Sequence, residues 1–356
     1  MIRFKHLAFT WWLSALIFPA KSWAQTPQQL PKESRKQYVS YRDNSLSDEF
    51  NGPQLDTLKW GRRNTGGGSI EPHFRDESLV SMESETRSDG TLNQYVSLLG
   101  TAKNGPPRTA GLVSKATGFY GFYVVRFRYR GFDSEEVREH GTVWHPAVWS
   151  AIGDSRAGVK QFASESRDFW LEIDLMEWEN GANGWSSDAP ARLKDSQGEK
   201  RKVITKGPNA EKGVMHKGPI QIYDPVWQTI GLEYTPEYLK LWNWENGAWQ
   251  HMGERVVKFV EENPQQPEQS YTLNTIGNQA RTPGFWILGN IIARYIWARM
   301  EAGTNTHPVQ EMHMDFDYFR YYRHKQAVKM DWPWENQQPQ GGGNIQKDKS
   351  PIPQTP

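Results

Sequence analysis

The chain has 356 residues, a formal net charge of +1 and no cysteine. Near-neutral charge gives no electrostatic case for nucleic acid or an anionic membrane as partner. The missing cysteine excludes a disulfide framework and any cysteine–zinc site, so the roughly 300 folded residues must be held by their own core.

Met1 to Ala24 read as a secretory signal. Arg3 and Lys5 form a basic start, an apolar run extends from about Leu7 to Phe18, and Ser22-Trp23-Ala24 supplies a small-x-small cleavage site. The alternative, a membrane anchor, is disfavoured because about a dozen apolar residues are too few for the ~30 Å hydrocarbon core. Residues 25–41 are polar and contain proline, and read as a flexible leader with little fixed structure. Residues 42–328 form one expected domain, and 329–356, rich in Gln, Pro, Gly and Lys, read as a disordered tail.

The domain reads as β almost throughout. Across Gly118 to Arg130, Val124, Arg126, Arg128 and Arg130 alternate against Val125, Phe127 and Tyr129. A short helical turn is expected over Glu135 to His140. Leu239 to Trp244 and Ala248-Trp249 flank an Asn246-Gly247 hairpin signal. Met312 to Arg323 alternates through Met314, Phe316, Tyr318, Arg320 and Tyr322. Many short strands between Gly- and Pro-rich turns predict an all-β fold of two packed antiparallel sheets. The 17 tryptophans exceed what core packing requires, and flat aromatic rings match the apolar faces of sugars.

The chemistry concentrates in Trp170-Leu-Glu-Ile-Asp-Leu-Met-Glu-Trp178, where Glu172, Asp174 and Glu177 fall within six residues separated only by apolar ones. On a strand, Glu172 and Asp174 share a face while Ile173 and Leu175 point into a core. Glu177 is out of phase, and one extra residue in a β-bulge at Leu175-Met176 restores it to the acidic face. Alternating acids also describe an ordinary solvated strand. Against that, three like charges on one face repel unless a proton is shared. The flanking Phe169, Trp170 and Trp178 suggest an aromatic-lined face. Retaining glycoside hydrolysis needs two carboxyl groups ~5–5.5 Å apart, one nucleophile and one acid/base.

Glu172-x-Asp174-x-x-Glu177 resembles the active-site signature of glycoside hydrolase family 16 in its bulged form. Ser47 to Gly52 with Leu55-Asp56 and Trp60 resembles that family's opening strand. Ala110 to Lys115 and Tyr120 to Tyr123 resemble the strand pair before its active site. His145-Pro-Ala-Val-Trp149 resembles its cleft tryptophan segment, and Trp227 to Pro236 and Asp317 to Tyr322 resemble later strands. The resemblance implies a jelly-roll β-sandwich with an open cleft on its concave face. It implies Glu172 as nucleophile, Asp174 as its assistant and Glu177 as acid/base, with no cofactor for catalysis. Trp149 would stack on sugar, with Trp144 and Trp170 as further candidates. His216 either borders the cleft or is a surface histidine. A structural calcium is implied on Asp317, with Glu49 and the Gly90 carbonyl, and oxygen ligands of this kind suit that ion.

The resemblance thus implies a secreted, monomeric, retaining endo-glycosidase acting on a polysaccharide, extracellular or periplasmic, with no nucleic-acid or membrane partner. Asp168 to Leu171 lacks the Trp-Pro and Gly usual in β-1,3-glucan-active members, so an algal galactan (agar, porphyran or carrageenan) is the expected substrate and laminarin the alternative. Arg126, Arg128 and Arg130 are either contacts for a sulfated substrate or solvated edge protection. The inserts 153–168 and 181–218 are expected to wall the cleft. A transglycosylase or a non-catalytic carbohydrate-binding protein would share the fold.

Overall fold

The alternating segments become eighteen strands among the described residues: β1 (Trp60–Arg62), β2 (Val80–Thr86), β3 (Leu92–Thr101), β4 (Gly111–Gly118), β5 (Gly121–Arg130), β6 (Trp144–Ile152), β7 (Phe169–Glu177), β8 (Trp185–Asp188), β9 (Ala191–Lys194), β10 (Lys200–Lys206), β11 (His216–Ile220), β12 (Gln228–Tyr234), β13 (Leu239–Glu245), β14 (Ala248–Val256), β15 (Lys258–Glu261), β16 (Ser270–Thr272), β17 (Gly284–Ile292) and β18 (Glu311–Arg323). The computed structural model describes residues 30–63, 76–101, 103, 108–131, 144–152, 169–178, 185–189, 191–194, 200–206, 216–220, 225–261, 270–272, 284–292 and 311–329. The expected signal over Met1 to Ala24, the turn expected over Glu135 to His140, the insert 153–168 and the expected tail beyond 329 lie outside them.

Two antiparallel sheets stack face to face, as a jelly-roll sandwich requires. The larger has the order β1-β4-β17-β6-β7-β9-β10-β15-β16, with β8 also paired to β7 and β11 to β8. The smaller runs β14-β13-β12-β5-β18-β3-β2. Between them lies one core. Val125, Phe127 and Tyr129 of β5 meet Val148 and Trp144 of β6, Leu171, Ile173, Leu175 and Met176 of β7, and Trp286 and Leu288 of β17. Each such side chain, fully withdrawn from water, contributes roughly 1.5–3 kcal/mol before entropy is counted.

The local signals explain the turns. Asn246 and Gly247 both have positive φ, 53° and 77°, so the β13–β14 hairpin closes through the turn whose twist suits antiparallel strands. At Gly121, a Cβ would overlap the Tyr321 ring and the Tyr322 carbonyl of β18, so the close β5–β18 pairing needs glycine there.

Two expectations are corrected. Alternation on β18 does not run unbroken. Its register against β5 shifts between Phe316 and Tyr318, leaving Asp317 as an extra residue. Met312, Met314 and Phe316 face the core before the shift, and Phe319 and Tyr321 after it, so Tyr318 stands on the other face. Nor is residue 30 onward free of structure. Arg35–Gln37 form a 3-10 turn, and Tyr38 bridges to His324 and is buried with Phe122, Val124, Trp242 and Tyr318. One aromatic side chain with a matching hydrophobic site is enough to dock a polar segment.

The arginines of β5 lie on the outer face of the smaller sheet, away from β7. Arg126 is paired with Asp317. Arg128 meets Asp315 at 2.8 Å and Glu85 at 2.6 Å, and its guanidinium lies 4.3 Å from the Trp227 ring centroid. Arg130 holds Asp315 at 2.6 Å and also pairs with Glu83. They are structural ion pairs and carry no argument for a sulfated substrate.

Candidate active site

Strand β7 pairs with β6 through a shifted register. Trp149 stands opposite Asp174, Val148 opposite Met176 and Ala147 opposite Glu177, which leaves Leu175 as the extra residue. Two consecutive side chains, Leu175 and Met176, are therefore both buried in the core. The Met176 sulfur accepts a hydrogen bond from the Tyr129 hydroxyl at 2.9 Å. The bulge on the other side falls in the same place, since Asp174 pairs with Asp188 of β8 and Glu177 with Ser186. The Ser187 hydroxyl donates to the Asp174 carbonyl at 2.8 Å, and the Trp178 N–H to the Pro146 carbonyl at 3.0 Å, which fixes the strand on both sides of the kink.

Leu171 and Ile173 are buried in the core, so Glu172 and Asp174 occupy the outer face of the larger sheet. Glu177 returns to that face because its partner Ala147 belongs, with Trp149, to the small cluster of Val113, Phe285 and Ile287 on it. Glu172 and Glu177 are half-buried, while Asp174 between them is 2% exposed. Asp188 adds a fourth acid at a register position opposite Asp174.

His145 is the residue that the sequence reading missed. Its Nε2 lies 3.2 Å from a Glu177 carboxylate oxygen, and its side chain is 9% exposed. It stands two residues before Ala147 on the same face, a position visible only once the β6–β7 register is known. A histidine against one oxygen fixes the rotamer of Glu177 and gives it a group with which to exchange a proton.

The expected sugar platforms fare differently. Trp149 is on the acidic face, but it is 5% exposed and the Arg63 guanidinium lies over its ring at 5.2 Å. One face of the ring is thus covered by a cation. Trp144 is fully buried in the core, as is Trp178 against Tyr129, so neither lines the acidic face. Both sit at the wrong parity, on the side of Val148 and of Met176. The backbone of Trp170 pairs with Arg192 of β9, and that of His216 with Ser187 of β8. Their side chains, like that of Phe169, lie outside the described residues.

The expected calcium ligands do not form an oxygen cage. Asp317 is held by the buried Arg126, and Arg87 lies 3.6 Å away. Burial raises the Asp317 pKa above the usual carboxylate value, against the lowering effect of Arg126. Glu49 is paired with Arg320 at 2.7 Å and also with Arg42. Gly90 closes the β2–β3 turn with φ 83°. Among the described residues no group of three or more acids and histidines is disposed to hold a metal ion. Both expected acidic ligands, Asp317 and Glu49, are thus engaged in ion pairs with arginines.

A scan against protein-family models gives no match, and neither does a search of the curated proteins. Solved structures do match. A kappa-carrageenase from Zobellia galactanivorans is 17% identical with a TM-score of 0.51, over 85% of this chain and 100% of that one. LamAcat from the same organism is 18% identical (TM-score 0.48, 78% and 96% covered). A glycoside hydrolase family 16 endo-glucanase from Bacteroides ovatus is 13% identical (TM-score 0.47, 78% and 99% covered). At such identity the likeness establishes architecture alone: this chain has the fold of that kappa-carrageenase.

Proposed function

We propose that the chain is a retaining endo-glycosidase of glycoside hydrolase family 16 that cleaves β-linkages in a polysaccharide. The observation that carries the reading is the bulge at Leu175, which returns Glu177 to the face that bears Glu172 and Asp174. In this reading Glu172 attacks the anomeric carbon and forms a glycosyl-enzyme. Glu177 gives its proton to the departing glycosidic oxygen, then takes one from the water that releases the sugar and regenerates Glu172. Asp174, between the two glutamates on the same face, assists Glu172 as the nucleophile. An algal galactan is the favoured substrate, supported by the residues before Glu172, which lack the β-1,3-glucan pattern. The signal-like start of the chain supports action outside the cytoplasm, and no calcium enters the mechanism.

The test is release of reducing ends from agarose, porphyran, carrageenans, laminarin and lichenan. Glu172→Gln removes hydrolysis of whichever polymer is cleaved while leaving its binding intact. Glu177→Gln lowers kcat by roughly 10²–10⁴. Wild-type turnover by Glu172→Gln refutes the assignment, and products longer than the donor's own fragments, formed with an added acceptor, would mark a transglycosylase instead.

A further inference from the structure

We propose that the cleft takes a polyanionic chain, whose sulfate or carboxylate groups are read by a row of basic residues on β9 and β10. This deepens the proposed function and rests on its placing of the site at Glu172. The row follows from backbone register. Partners across an antiparallel ladder lie on one face, and residues two apart on a strand share it. Trp170, on the face of Glu172, pairs with Arg192, and Arg192 pairs with Lys202. Lys194 and Lys200, paired with each other, therefore share that face, as does Lys206 with its partner Lys258 on β15. Six basic residues thus stand on the outer face of the larger sheet. They begin one strand spacing, roughly 5 Å, from the acidic strand and end about three spacings away.

The cost of this arrangement argues for a ligand. Lys200 pairs in register with Lys194, Lys202 with Arg192 and Lys206 with Lys258, and like-charged residues at directly opposed positions are disfavoured on a sheet. Among the described residues of β9, β10, β15 and β16 the positions on this face carry no Asp or Glu; the others are Ile204, Val260, Ser270 and Thr272. Glu261 pairs with Val203 on the opposite face. The alternate positions are Ala191, Leu193, Arg201, Val203, Thr205, Phe259, Glu261 and Tyr271, with one base among them, so the bases are concentrated on one side. A chain with a net charge of +1 therefore carries a strongly cationic region beside its acids. A neutral glucan or agarose gives such a row nothing to bind. A polymer bearing sulfate esters or uronate groups would neutralise it and be guided along the cleft.

The experiment uses the full chain with Glu172→Gln, so that binding is read without cleavage. Its retardation is measured in gels containing kappa-carrageenan, the same polymer after chemical desulfation, or alginate. The expected result is retention at least about tenfold tighter on one polyanion than on the desulfated chain, weakening as added salt screens the charges. Preference for carrageenan assigns sulfate, and preference for alginate assigns carboxylate. Adding Lys194→Gln, Lys200→Gln and Lys202→Gln together should remove that preference without lowering the melting temperature, since it relieves repulsion. Lys202→Glu alone should weaken binding in the same direction if the triple variant fails to fold. Equal retention on charged and desulfated polymer overturns the proposal, as does a folded triple variant that keeps the preference. Because the readout is binding, loss of the hydrolase assignment would appear separately, as unchanged turnover in Glu172→Gln.

Discussion

His145 and Glu177 meet at 3.2 Å across a pair of strands whose register is irregular between them. In either tautomer the contact limits Glu177 to one rotamer, because an imidazole nitrogen offers either one donor or one acceptor at a fixed angle. His145 therefore acts through Glu177, as a positioning residue. In the proposed mechanism His145→Ala lowers kcat by roughly 10²-fold, the scale of a misplaced catalytic group, while KM changes little. Steady-state kinetics separates the two constants, and a matched loss in KM instead would make His145 a sugar contact. The acids themselves were legible because their spacing is a local pattern. His145 was not, since nothing within Trp144 to Trp149 says which residue across the sheet it will meet.

Strand β7 makes its point through one residue, Leu175. The extra residue places Leu175 and Met176 on the core side in succession, so removing it restores plain alternation and leaves Glu177 on the acidic face. Deleting Leu175 would bring Glu177 about 3.3 Å closer to Asp174 along the strand and out of step with Ala147 and His145, lowering turnover. Leu175→Ala keeps the register and leaves a cavity. It costs roughly 2–5 kcal/mol of stability but retains turnover at temperatures where the variant is folded. Thermal melts beside activity assays distinguish the two, and an active deletion variant would show that the bulge is dispensable. This bulge could be read from sequence because the acids marked the break in phase. The second bulge, at Asp317 on β18, could not: Met314, Phe316, Tyr318, Arg320 and Tyr322 look continuous, and only the pairing with β5 exposes the shift. The strands of the insert 181–218 were equally hidden. Short runs such as Lys200-Arg-Lys202 have no apolar alternation, and the ladder to β9 and β15 supplies their structure.

At the scale of the whole molecule, the segment from residue 30 straps across the outer face of the smaller sheet. Val39 donates to the Arg323 carbonyl, Asp43 to that of Tyr321 and Asp48 to that of Phe319, so the chain runs alongside β18. Tyr38 is 2% exposed, set edge-on to Phe122 at 5.8 Å between ring centroids and to His324 at 5.6 Å. Burial, with the charge of Glu233 beside it, raises the Tyr38 hydroxyl far above its usual pKa, so it stays neutral. Composition missed this because a lone tyrosine among polar residues makes no periodic signal. The docking has a measurable consequence: without it Phe122, Val124, Trp242 and Tyr318 would lose their cover. Tyr38→Ala should cost roughly 3–5 kcal/mol, as for other large buried rings, a fall in melting temperature on the order of 10 °C. A chain beginning at residue 41 should fall at least as far and bind a hydrophobic dye at its newly exposed patch. Turnover per folded molecule should be unchanged in both variants, because the strap lies on the sheet opposite to β7. Loss of turnover without loss of stability would mean that the strap reaches the site through the core, and the two faces of the sandwich would no longer be independent.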